Sequence, residues 1–423
     1  MSLAKKVSIY SFGMLLPQFV GFLLLPIYSR VLTKSDFSTI SLLETIIILF
    51  SFFSCLSIDR GVLRLLSEKD GNQYYATFYT IALLAPILWG AVITSFLFMF
   101  DLTFYGVGKE MLALVLMIGV IRSSIQIFVR IVQYEEKTRL YFNIALLRSI
   151  LDFILILGFI LYIYSDFRGV YIASLISVIS VYTICAFFMR PEAKQWFYFP
   201  AFLQILKFAL PVVPTLILSW INNMSGRFFL ESQSTSAVAD FSMAFKISYL
   251  IGIVSVAVQT SISRNVYQSL DSDNRSLVVS VFNKSIILIS SFTILYTVAF
   301  FILGDFILGE GYSGLWPYVA LLNLSMFATG GLGVTANLIY YYYKDNIYLL
   351  ITYVINSVFL LFLFSLFKSE GVLGISVSLF LSSLFLSVVQ FSYIKRKGLD
   401  ISVVIYQFYL LLLAGAAVCY FAI

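Results

Sequence analysis

The sequence predicts an all-α polytopic membrane protein: two six-helix bundles related by a pseudo-twofold axis along the membrane normal, plus an extra C-terminal helix. Three observations carry this. Hydrophobic residues make up 61% of the 423 positions, charged residues only 11%, and the mean hydropathy is +0.98. A soluble domain is roughly a quarter charged, so a water-solvated surface is not available to this chain. The apolar runs are about 20 residues or longer and lack ten-residue alternation, so helices rather than a barrel satisfy the backbone in lipid. Finally, the triplet Asp36-Phe37-Ser38 recurs as Asp240-Phe241-Ser242, 204 positions on and near half the chain length. That spacing marks an internal duplication.

The spans follow in order as 8–29, 37–58, 75–100, 109–133, 140–164 and 168–189, then 203–226, 236–262, 279–304, 315–342, 346–367 and 371–393, with a thirteenth run at 401–422. A more polar link separates the halves. The expected organisation is therefore a lobe at 1–190, a link at 191–202, a second lobe at 203–397 and the additional helix within 398–423. Further echoes keep the same order. Lys137 and Tyr141 open the fifth span as Lys344 and Tyr348 open the eleventh, and GVYIAS at 169–174 matches GVLGIS at 371–376. Six spans per copy make the repeats parallel, with a cavity expected between them, which is a transporter architecture.

Orientation follows from Lys and Arg. With the N-terminus in the cytoplasm, eighteen of the 27 basic residues fall on the cytoplasmic side, including Lys395-Arg396-Lys397, against six outside. The first run lacks a small-residue cleavage pattern and reads as a retained helix. The inward segments 59–74 and 263–278 read as loops too short to form a domain. The absence of histidine excludes Ser-His-Asp and Cys-His chemistry and His-ligated metals. Cys55, Cys185 and Cys419 lie inside apolar runs without CxxC spacing and read as small core residues. Neither a cofactor nor a nucleic-acid partner is expected.

Charges at membrane depth are expensive and usually face a partner or a water-filled cavity. Arg122, Gln126 and Arg130 form one stripe on the fourth span. Arg130 has a snorkelling alternative, whereas Arg122 is too deep for one. Arg148 and Asp152 lie four apart on the fifth. They read either as a structural pair or as a pair in which an incoming anion competes with Asp152 for Arg148. Glu44 on the second span and Lys246 on the eighth fall within about one helical turn of each other in the duplication, as a gate or an inter-lobe bridge. Arg30 and Arg227 fall where their spans meet the outer surface, as exit residues or interfacial anchors. Prolines 17, 26, 211 and 214 are candidate kinks, and the glycines at 330, 331 and 333 allow a bend or close helix approach.

The patterns FLLLPIYSRVLTKSDFSTISLLE, KFALPVVPTLILSWINNMSGRFFL followed by DFSMAFKIS, GEGY at 309–312 and GVLGISVS from Gly371 resemble the polysaccharide-repeat-unit (O-antigen and capsule) flippases of the multidrug/oligosaccharidyl-lipid/polysaccharide exporter superfamily. The resemblance covers nearly the whole chain, on loose apolar motifs. It implies alternating access, a polyprenyl-diphosphate-linked oligosaccharide as substrate, the bacterial inner membrane, and a polymerase and chain-length regulator of the same pathway as partners. It also implies a cationic cavity position, matched by Lys246, whereas the run 401–422 departs from the family's twelve-span core. A diphosphate needs Arg or Lys in a low-dielectric cavity, so Arg122, Arg148 and Lys246 are the candidate binding residues, with Arg30 and Arg227 at the exit. Glu44 or Asp152 would take a coupling proton or sodium ion. The rival readings are an ion-coupled drug/cation antiporter of the same superfamily, a membrane polymerase or ligase, which would need a long outward loop, and a structural scaffold.

Overall fold

A computed structural model describes residues 3–66, 71–191, 196–343, 345–399, 413–415 and 417–418. The described backbone is almost wholly helical, as the bilayer requires of any chain that cannot hydrogen-bond to lipid. Ten of its helices are long and apolar enough to cross a membrane, and a shorter apolar helix covers Leu15–Val31. In chain order the α-helices are α1 (Leu3–Leu23), α2 (Leu25–Val31), α3 (Lys34–Ser54), α4 (Val62–Leu66), α5 (Gly71–Met99), α6 (Lys109–Tyr134), α7 (Thr138–Tyr162), α8 (Phe167–Phe188), α9 (Phe199–Ala209), α10 (Val213–Met224), α11 (Gly226–Glu231), α12 (Thr235–Asp271), α13 (Arg275–Ile307), α14 (Trp316–Phe327), α15 (Gly333–Tyr343), α16 (Asn346–Leu366) and α17 (Gly371–Arg396). The expected run 401–422 lies largely outside the described residues.

The chain divides into two compact units, one of residues 1–20 with 31–220 and the other of residues 21–30 with 221–423. The cut differs from an even division at the link. The last turn of α1 and α2 belong to the second unit, and α9 and most of α10 belong to the first. Proline explains where the first spans of each half break. Pro26 cannot donate to the Phe22 carbonyl, and the helix is interrupted at Leu24. The span expected at 203–226 is likewise divided, with a 3-10 turn at Leu210–Val212 around Pro211 and a second interruption at Ser225.

The two halves repeat this local design. Thr33 caps α3 by accepting from Asp36 N–H at 3.1 Å, and Ser234 caps α12 by accepting from Ala237 N–H at 3.0 Å. These caps lie 201 positions apart, as do the interruptions at Leu24 and Ser225. The Asp-Phe-Ser triplets, at 204, are therefore displaced by about one helical turn relative to the folded repeat. In cap register Lys246 matches Thr45, next to Glu44. The segment expected as the loop 263–278 is mostly helix, because nothing between Ser263 and Asp271 breaks α12, and Asn274 caps α13 by accepting from Leu277 N–H at 3.2 Å.

In the first unit α6 is the central helix, packed on α3, α5 and α8. Ile118, Val120, Ile125, Ile127, Phe128 and Ile131 on it are fully buried. In the second unit α17 has that place, against α14 and α16. Its buried face is rich in serine: Ser376, Ser378, Ser382, Ser383 and Ser387. Small residues let helices approach where apolar burial gives no drive, and the hydroxyls bridge to neighbours. Ser325 donates to Leu379 O at 3.2 Å and Ser387 to Ala328 O at 3.2 Å. The glycine-rich tenth span is broken by a π turn at Ala328–Leu332. A Cβ on Gly330 would lie 2.6 Å from Ser255 Oγ, so glycine there permits a close crossing with α12.

At one end of the second unit, Tyr393 and Lys397 clasp Asp345. The Tyr393 hydroxyl donates to the carboxylate, and Lys397 Nζ lies 2.9 Å from Oδ2 and 4.3 Å from the Tyr343 ring centroid. The Tyr393 hydroxyl, then Lys397, hold this carboxyl below the ordinary aspartate range. A depressed carboxyl pKa stabilises the fold above the unfolded value, near 4, and that contribution is lost as pH falls through the folded one. Asp345→Asn should therefore lower the thermal midpoint by a constant amount from pH 7 to about 4, with the gap to wild type closing only below that. Gly169 supplies a packing test. A Cβ there would lie 2.3 Å from the Tyr164 carbonyl oxygen, whereas one on Gly158 meets nothing within 4 Å. Gly169→Ala should cost about 1–3 kcal/mol, read as a lower melting midpoint by fluorescence-detected chromatography, and Gly158→Ala should not lower it.

Candidate functional site

In the first unit, α6 and α7 bring charges together at span depth. Arg148 Nε lies 3.8 Å from Asp152 Oδ2, with their side chains 17% and 14% exposed. That distance makes an ion pair without a hydrogen bond. Arg122 from α6 is close enough to act electrostatically on Arg148. Arg122 Nε, Arg148 Nε and Asp152 Oδ1 are all buried without a protein hydrogen-bond partner. The cluster thus holds two guanidinium groups against one carboxylate, with donors to spare.

Of the stripe expected on α6, only Arg122 joins this cluster. Gln126 is exposed, and Arg130 donates to Gln133 Oε1 at 2.9 Å near the end of the helix. Glu44, half-buried on α3, belongs to the first unit, and Lys246, half-buried on α12, to the second.

The two arginines expected at the outer surface differ. Arg30 is exposed at the end of α2, and its guanidinium donates to Pro26 O at 3.2 Å and to Phe306 O at 2.9 Å. Arg227 is only 3% exposed. Its Nε donates to Ser242 Oγ at 3.2 Å, Nη1 approaches Met224 Sδ at 2.8 Å, and the guanidinium carbon lies 5.0 Å from the Phe245 ring centroid. Neither an interfacial anchor nor a rim contact describes Arg227 in this structure. The interruption at Ser225 turns α11 so that this side chain enters the second unit's interior.

A polar network in the second unit went unread in the sequence. Asn356 Nδ2 donates to Asn222 Oδ1 at 3.3 Å, Ser357 donates to the same oxygen at 3.2 Å, and Ser382 donates to Asn356 Oδ1 at 3.0 Å. The Asn222 Nδ2 group is buried without a partner. The available signal was Asn356 itself, a lone amide in the apolar run of α16. Among the described residues no group of three or more Cys, Asp or Glu side chains could hold a metal ion.

No family profile and no curated protein matches the chain in sequence. Its fold does match solved structures: it is that of the MATE transporters of the MOP superfamily. The MATE multidrug transporter DinF-BH aligns with a TM-score of 0.68 at 15% identity, over 95% of this chain and 97% of that one. An inward-facing MATE family transporter of the MOP superfamily aligns at 0.67 and 14%, over 94% and 95%. A MOP superfamily transporter from Pyrococcus furiosus Vc1 (DSM3638), described as having a binding pocket of reverse polarity that suggests a different function, aligns at 0.65 and 14%, over 93% and 95%. The chain is thus a multi-pass membrane protein of two helical units.

The Arg148–Asp152 pair lends itself to a mutant cycle. Removing one partner of a buried pair costs about 3–5 kcal/mol, whereas replacing both is often near neutral. Asp152→Asn should sharply lower the thermal stability of the detergent-solubilised protein by leaving two arginines uncompensated, and adding Arg148→Gln should restore most of it.

Proposed function

We propose that this protein is an alternating-access flippase. Its cargo is an oligosaccharide linked to polyprenyl diphosphate, moved from the cytoplasmic to the periplasmic leaflet of a bacterial inner membrane, with the N-terminus cytoplasmic. The observation that carries the reading is the cationic excess at Arg122, Arg148 and Asp152, with both buried Nε donors lacking a hydrogen-bond partner. Two unit charges about 4 Å apart interact by roughly 4 kcal/mol at an effective dielectric near 20, more than the ~1 kcal/mol net of a neutral hydrogen bond. Charge therefore selects the cargo, and this cluster selects an anion. Guanidinium groups also match phosphate oxygens in a bidentate geometry. The glycan and the lipid tail contribute contacts that are individually weak.

The remaining charged residues take roles around this cluster. Lys246 is a further cationic residue, on the second unit, and Glu44 is a gate residue of the first. Arg30 meets the departing headgroup. Arg227, being buried, contributes only if the second unit opens around it. Asp152 is the coupling carboxylate, because an anion that draws Arg148 away frees it for a proton or sodium ion. The membrane partners are the polymerase and chain-length regulator that consume the flipped unit.

A second reading, an ion-coupled drug/cation antiporter, is favoured by the solved structures of the same fold, among them the multidrug transporter DinF-BH. Proteoliposomes separate the two. The flippase reading predicts that wild-type protein moves a polyprenyl-diphosphate oligosaccharide, and that Arg122→Gln and Arg148→Gln each slow it about tenfold or more, the effect of ~1.4 kcal/mol. Unimpaired movement in both variants, together with Asp152-dependent efflux of a lipophilic cation, would establish the antiporter instead.

A further inference from the structure

Between α2 and α13, close to Arg30, lies a pocket of about 90 Å³ within the second unit. Phe22, Leu25 and Pro26 form one wall, and Tyr296, Phe300 and Leu303 of α13 form the facing one. The walls are almost wholly apolar. Tyr296 does not alter this, since its hydroxyl is satisfied by donating to Ile247 O at 3.0 Å. A water occupies about 30 Å³ of liquid and needs two to four polar partners, so an apolar hollow of this kind does not hold water. Around the pocket the surface is apolar and exposed, with Phe306 84% exposed and Leu303 48%. In a membrane, hydrocarbon chains bathe such a surface.

The mouth has one feature that plain lipid-facing surface lacks. The Arg30 guanidinium lies beside it, bonded to the carbonyl of the lining residue Pro26 and to that of Phe306, the neighbour of the lining residue Ile307. Those two bonds use two of its five N–H donors, and the side chain is exposed. Its frame is fixed by the Gly309 turn, whose N–H donates to Ser29 Oγ at 3.0 Å and where a Cβ would lie 2.4 Å from Ser29 O. Asp305, the nearby carboxylate, accepts from Gly314 N–H at 3.2 Å. A hydrocarbon pocket with a guanidinium beside it is complementary to a molecule with a phosphate joined to a long chain.

We propose that this pocket is a binding site for an anionic phospholipid of the bulk membrane, with one acyl chain between α2 and α13 and the phosphate on Arg30. The site lies apart from the Arg122–Arg148 cluster and is occupied whether or not cargo is present. The bound lipid holds the α2 segment against α13 where the first span is interrupted at Leu24.

The test is native mass spectrometry of the full-length protein, released from detergent containing equal amounts of phosphatidylglycerol and phosphatidylcholine with the same acyl chains. The last lipid retained as collision energy rises should be phosphatidylglycerol, favoured about fivefold, the value of one basic residue at an anionic membrane surface. Arg30→Gln should abolish that preference and Arg30→Lys should keep it. Ala299→Trp, which fills the pocket, should release both lipids at lower energy. The Arg122→Gln/Arg148→Gln double variant should keep the wild-type preference, so this test stands apart from that of the transport reading. Equal retention of the two lipids by wild type, an unchanged preference in Arg30→Gln, tight lipid in Ala299→Trp, a preference lost in the double variant, or a second copy of the chain in place of lipid would each overturn the site.

Discussion

Charge inside a hydrocarbon slab is the constraint on which this molecule turns. The bilayer obliges every backbone amide to be bonded within its own segment, which makes the chain helical almost throughout. It also makes each ionised side chain at span depth costly unless something answers it. Asp152 answers part of the charge of Arg148, at 3.8 Å, and nothing among the described residues hydrogen-bonds the inward Nε of Arg122. That imbalance distinguishes the first unit from a merely apolar bundle, and the proposed function rests on it.

The rest of the architecture shows how such a cluster is kept rigid. α6 carries Arg122 on a helix that is otherwise among the most deeply buried in its unit. The second unit uses a different device, a serine-rich α17 whose hydroxyls bond across to α16 and the π turn at Ala328–Leu332 and whose Leu379 carbonyl accepts from Ser325 of α14. Hydrophobic burial does not drive helices together in lipid, so close approach and short polar bridges have to do so. Several irregular stretches fall where proline or glycine dictates them: the interruption before Pro26, the turn around Pro211 and the π turn at Gly330.

Much of the fold was legible because spans, caps and prolines are local features. Most expected spans coincide with observed helices to within a few residues, and the duplication is real in the caps at Thr33 and Ser234. The triplets alone misplaced its register by a turn, since Asp36 sits in the first turn of α3 and Asp240 a turn further into α12. Arg148 and Asp152 were legible as a pair because four residues make one helical turn. The proximity of Arg122 was not, because it depends on how α6 packs against α7. The burial of Arg227 was equally hidden, since it follows from the helix interruption at Ser225 and not from position along a span. The Asn222–Asn356–Ser382 network links three separate helices, and no sequence spacing encodes that.

The central claim is that the two guanidinium groups of Arg122 and Arg148, set against the single carboxylate of Asp152, form a receptor for phosphorylated cargo. Calorimetric titration of the purified, nanodisc-embedded protein with a short-chain prenyl diphosphate, beside a lipophilic monovalent cation of similar size, tests it directly. The account predicts saturable binding of the diphosphate that weakens at least tenfold in the Arg122→Gln/Arg148→Gln variant, and no comparable binding of the cation. Tight binding of the cation that is lost in Asp152→Asn, with diphosphate binding indifferent to both arginines, would contradict it.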